Sequence, residues 1–131
     1  MATTMAQIRQ GLANNLSVLE GQVSPYMLAA PTPPAIHMLP TEVNYDQALQ
    51  RGLTVAVLTV QAMVAFGLDV STQQRLDGWV QGELKAAAES DPTLGGTVQY
   101  VRVVAMTSYD VLALPDRGQM LAASFRVEVY V

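Results

Sequence analysis

The chain has 131 residues, half of them apolar and only 14% charged, which suits one domain with a large core and a sparsely charged surface. Its net charge is −4, and its basic residues (Arg9, Arg51, Arg75, Lys85, Arg102, Arg117 and Arg126) are scattered singly, which disfavours tight binding to a phosphate backbone. The absence of cysteine excludes disulfides and thiolate metal ligands and fits a reducing cytoplasm. Met1 to Leu12 is too mixed for a signal peptide, and Leu53 to Leu68 is too short and too interrupted to span a membrane.

In chain order, Thr4 and Gln7 have capping-box spacing, and Met5, Ile8, Leu12, Leu16 and Leu19 follow at helical intervals. They predict a helix from Met5 to Val18 that stops near Gly21. Val23 to Leu28 reads as a short strand, with Pro25 implying an edge or a bulge. Residues 29–35, AAPTPPA, form a stiff connection, because proline fixes its own φ and restricts the residue before it. Ile36 and Met38 then alternate with Ala35, His37 and Leu39 in a second strand expected to end at Pro40. Residues 41–52 have no period and read as a longer loop.

Leu53 to Phe66 is the strongest strand signal. Its apolar phase changes between Val57 and Leu58, which implies either a bulge or burial on both faces. Ser71 and Gln74 repeat the capping-box spacing, and Leu76, Trp79, Val80, Leu84 and Ala87 mark a second helix running to about Glu89. Val98 to Leu114 is strand-like, PDRG at 115–118 is a turn, and the last strand alternates cleanly from Leu121 to Val131. The order α-β-β-β-α-β-β predicts a single α+β domain, an antiparallel-rich mixed sheet with two helices on one face.

Catalytic chemistry finds little support in these residues. A phosphate cradle needs glycines that lead into a helix N-terminus, whereas Gly95-Gly96 follow a helix and lead into a strand. Asp91-Pro92 stops that helix, and the glycines supply the positive φ of a turn. His37 is the sole histidine, no carboxylate has ligand spacing to it, and it reads as a surface or interface residue. No serine sits in a nucleophile elbow. Asp69, Asp77 and Glu83 fall on the polar side of a helix, as a solvated face does. Tyrosines (Tyr26, Tyr45, Tyr100, Tyr109, Tyr130) and methionines (Met27, Met38, Met63, Met106, Met120) exceed what such a core obviously consumes. Tyr26 and Tyr45 divide evenly between core and protein–protein contact.

The succession of segments resembles the tail terminator proteins of long-tailed bacteriophages, also called tail completion or minor tail proteins. The resemblance runs through AQIRQGLANNL, VSPYMLAAPTPPAIHMLP, YDQALQRGLTVAVLTVQAMVAF, and QRLDGWV followed by DPTLGGTVQYVRV. Each segment is a turn or a core pattern, so their order carries the likeness. It implies a structural virion protein that assembles as a homo-oligomeric ring, commonly a hexamer, at the head-proximal end of the tail. The ring ends tail tube polymerisation and meets the head-tail connector or neck proteins. The resemblance implies no enzyme activity, no catalytic residue, no metal and no cofactor, and assembly in the host cytoplasm without a membrane. The acidic balance suits a lumen through which DNA passes without specific binding. Exposure and composition mark three contact surfaces: the Pro31–Pro34 loop (Pro33, Pro34), the 41–52 loop (Tyr45, Asp46, Arg51) and the 116–118 turn (Asp116, Arg117). Another virion part, either a head-tail joining or a tail tube protein, is the alternative. A small α+β enzyme or ligand-binding domain, with a pocket at His37 or a cluster of acids, stands behind both.

Overall fold

The structure is a computed structural model that describes residues 4–19, 21–27, 34–44, 55–66, 70–114 and 118–131. Helix α1 (Met5–Leu16) is followed by strands β1 (Gln22–Val23), β2 (Ala35–Asn44) and β3 (Val55–Ala65). Next come helix α2 (Ser71–Gly78), a π-helical turn (Trp79–Glu83) and helix α3 (Leu84–Ala88), then β4 (Tyr100–Leu114) and β5 (Gly118–Tyr130). The strands form one sheet in the order β1-β2-β3-β5-β4, parallel between β1 and β2 and antiparallel elsewhere. This is the expected α+β class with a mixed sheet.

Period-two alternation sorts the side chains between the two sheet faces. Ile36 and Met38, alternate β3 residues from Ala56 to Val64, and alternate β5 residues from Leu121 to Val129 form one face. Ile8, Leu12 and Leu16 of α1, Leu76 of α2, Trp79, and Leu84 and Ala88 of α3 pack on it as one core. Fully burying one of these larger side chains is worth about 1.5–3 kcal/mol, so this layer dominates stability. The opposite face holds a smaller cluster of Ala35, Met63, Met120 and Ala122. Burial on both faces accounts for the phase change in β3, whose register with β5 runs unshifted from Val55↔Tyr130 to Ala65↔Met120.

Several boundaries differ from the sequence reading. β1 is two residues long rather than six. β2 runs through Pro40 to Asn44, so residues 41–44 are strand and not loop, with a register shift between Pro40 and Glu42. Beyond Val23, β1 no longer flanks β2, and proline's missing N–H costs a strand nothing on an open side. The Thr4 capping box forms as expected, Gln7 N donating to Thr4 Oγ1 at 3.1 Å and Thr4 N to Gln7 Oε1 at 2.8 Å. The box at Ser71 does not form, because the helix starts one residue early, with Val70 at the cap position and Ser71 already in the first turn. The second helix is also split by the π-helical turn.

The corner between α3 and β4 is a folded unit. Asp91 accepts from Gly95 N at 2.8 Å and from Thr93 Oγ1 at 2.9 Å, and Gly96 N donates to Thr93 O. Gly95 and Gly96 have φ of +74° and +88°, as a helix-to-strand turn demands. Asn15 of α1 donates to the carbonyl of Ala88, a group that the end of α3 leaves free, and to that of Asp91 in the turn beyond it.

Candidate interaction surface

β4 is an edge strand, and its two halves differ. In its first half Val101 and Val103 are buried in the core. From Val104 onward every residue through Val111 is exposed, including the large apolar side chains of Val104, Met106, Tyr109 and Val111. Register shifts between Val103 and Ala105 and between Met106 and Ser108 place two bulges in this stretch. Bulges bend and twist an edge strand, and both they and π-helical turns recur beside functional sites.

The π-helical turn faces the first bulge. Together they line a cleft of about 140 Å³, walled by Trp79, Val80, Gly82, Val104, Met106 and Phe125. Two larger, more open depressions flank the same turn, one reaching Val18 and Arg75, the other reaching Ala86. Beyond the cleft, Tyr109 donates its hydroxyl to Asp77 Oδ1 at 2.7 Å, tying the strand to α2. Burial, then the hydrogen bond to Asp77 and its charge, push the Tyr109 phenol up to about 12.

The backbone of Val103 is engaged from the side. Its N–H donates to Glu89 Oε2 at 2.8 Å, and Lys85 Nζ reaches its carbonyl at 3.5 Å. Lys85 and Glu89 are themselves paired one turn apart on the helix. Burial pushes the Glu89 carboxyl up, but hydrogen bonds from Lys85 and Val103, with the charges of Lys85 and Arg102, outweigh it and hold the group below its ordinary value.

The opposite edge of the sheet also exposes apolar groups. Tyr26 and Met27, just past β1, are 54% and 63% exposed. Arg9 stacks its guanidinium 4.6 Å from the Tyr26 ring centre and donates to Pro25 O, which fixes a cation beside them. Tyr26 therefore stands at the surface. Of the other tyrosines and methionines, Tyr100, Tyr109 and Met106 are exposed too, whereas Met38, Met63 and Met120 are core.

The sheet face away from the helices carries charge at one end. Arg126 lies 3.8 Å from Glu42 and 3.5 Å from Glu128, and Glu128 accepts from Tyr130 at 2.8 Å. Such partly exposed pairs contribute little energy. His37 is buried within the chain, where a surface or interface histidine was expected, and its Nε2 lies 2.7 Å from Gln61 Oε1, its cross-strand neighbour. The alternation placed its face correctly; the burial of that face was not visible in one strand's pattern. Among the described residues, no three acidic or histidine side chains converge as a metal site.

Of the expected contact residues, Pro33, Tyr45, Asp46, Arg51, Asp116 and Arg117 lie outside the described residues. Pro34 is half-buried, and its carbonyl accepts from Gln22 N at 2.9 Å to join β1 to β2. The exposed stretch of β4 was not anticipated as a surface. Its signal was there in the run Val103-Val104-Ala105-Met106, apolar at consecutive positions where an edge strand should alternate. No protein-family model and no curated protein matches the chain.

Proposed function

We propose that this chain is a structural virion protein that forms a closed homo-oligomeric ring, a hexamer on the resemblance, at the head-proximal end of a phage tail. There it ends tail tube polymerisation and joins the tail to the neck. The observation that carries the reading is the pair of exposed apolar surfaces at opposite edges of one sheet, Tyr26 and Met27 at one and Val104, Met106, Tyr109 and Val111 at the other. Different surfaces on opposite sides of a subunit are what head-to-tail association requires, and such association closes into a ring when its rotation permits. Contiguous exposed apolar surface on a chain with so few charges favours a protein partner. No residue is assigned a catalytic role, and DNA passes through the lumen without specific contacts.

The length of the β4–β5 hairpin, strands of 15 and 13 residues, favours the alternative of a tail tube subunit, since stacking rings use long hairpins. The enzyme alternative requires a pocket at His37 or at a cluster of acids, and a loss of activity in His37→Ala would favour it. Native mass spectrometry and electron microscopy of the purified protein, alone and with tail tube protein, separate these readings. The expected result is a closed ring of fixed stoichiometry that stops tube growth. Indefinite tubes would favour the alternative, and a monomer under every condition would overturn both.

A further inference from the structure

A free strand edge offers unpaired N–H and C=O groups to any other strand, and here the edge is blocked within its regular stretches. The Val103 N–H is occupied by Glu89 and its carbonyl by Lys85, so both of its backbone groups point away from β5. Further along, Val111 N donates to the Asp110 carboxylate at 2.8 Å. The bulges divide β4 into two regular stretches, Tyr100–Val103 and Ser108–Leu114, and each has one amide capped by an acidic side chain.

We propose that β4 is a strand-pairing edge for a second copy of this chain, held shut by the Lys85–Glu89 pair on the Val103 backbone. Antiparallel pairing of a strand with itself about a two-fold axis is self-complementary, so one edge suffices for both partners. Centring the axis on Met106 pairs the first regular stretch of each copy with the second stretch of the other. That register sets Arg102 opposite Asp110 twice, and both belong to the sheet face away from the helices, since their partners on β5 are Glu128 and Ala122. The exposed Met106 side chains meet at the axis. The Lys85–Glu89 pair competes for the backbone groups that this ladder needs. The inference is independent of the ring: two-fold pairing closes into a dimer, a dead end for a subunit that adds head to tail, and the latch suppresses it.

The chain contains no cysteine, so a single Met106→Cys reports on this contact alone. In the full-length protein the Met106→Cys variant is compared with Met106→Cys/Glu89→Ala under mild oxidation. The double variant is expected to form a covalent dimer roughly tenfold faster, about the factor that one charge-assisted hydrogen bond is worth. Adding Arg102→Glu, which sets like charges opposite each other, should return the rate to that of the parent. If Glu89→Ala does not fold by circular dichroism, Glu89→Gln serves in its place, because it keeps the shape and loses the charge. Equal cross-linking with and without the latch overturns the proposal, as does fast cross-linking that Arg102→Glu leaves unchanged.

Discussion

Positive φ has different consequences at different glycines. At Gly95 (φ +74°) a Cβ would meet nothing within 4 Å, so Gly95→Ala adds only the cost of a left-handed backbone, about 1 kcal/mol. At Gly21 (φ +106°) a Cβ would lie 2.2 Å from the Pro34 carbonyl oxygen, and that carbonyl already holds Gln22 N. Backbone cannot yield as a side-chain tip does, so Gly21→Ala should cost roughly 3 kcal/mol, strain and overpacking together. Thermal melts should place the two variants well apart in Tm, and equal shifts would refute the close approach. Tyr109 gives a prediction in pH. Its phenol is raised to about 12, so between the ordinary value of 10.0 and 12 the folded chain keeps a proton that the unfolded chain has lost. Its contribution to stability is complete below pH 10.0 and is lost as pH rises through 12. Denaturant melts across that range should decline less steeply for Tyr109→Phe.

Among the elements, α1 depends most visibly on its cap. Thr4→Ala removes the acceptor for Gln7 N and should cost about 1 kcal/mol, readable as a lower urea midpoint at unchanged slope. Glu89 joins α3 to β4, and its carboxyl is held below the ordinary 4.5. That stability is present above pH 4.5 and fades as pH falls through the lower folded value; Glu89→Gln should flatten this acid limb. How far such elements can be read from sequence depends on whether their determinants are local. The Thr4 box, the turn at Gly95-Gly96 and the alternation of β5 are set by residues a few positions apart, and all three were legible. The passage of β2 through Pro40 was not, because it depends on how far the neighbouring strand extends. The failed box at Ser71 came down to one residue of helix start. The π-helical turn has no sequence mark beyond Gly78 and Gly82, which read as ordinary helix positions. His37 was placed on the right face, but that face is buried by the assembled sheet and not by anything in its own strand.

At the scale of the whole molecule, the two apolar edges make the ring proposal specific enough to fail. Met27 is 63% exposed, so a charge there should change monomer stability by less than about 0.5 kcal/mol; Met106 is 40% exposed but walls the cleft beside Trp79 and Phe125, so Met106→Glu should cost the monomer roughly 1 kcal/mol. In a ring each side chain would be desolvated, and an unpaired carboxylate buried there costs several kcal/mol, enough to dissolve the assembly. Met106→Glu and Met27→Glu should therefore each yield folded monomers by analytical ultracentrifugation. Head-to-tail geometry adds a stronger requirement, because each variant keeps one intact surface, and in such a ring the two surfaces must be complementary. Mixing the two variants in equal amounts should give a heterodimer and nothing larger, since the one good contact uses the intact edge of each and leaves only damaged edges outside. An isologous dimer could not behave this way: a variant damaged in its one interface would find no partner, and an undamaged variant would pair with itself. A mixture that stays monomeric, or one that rebuilds full rings, would show that these two edges do not meet.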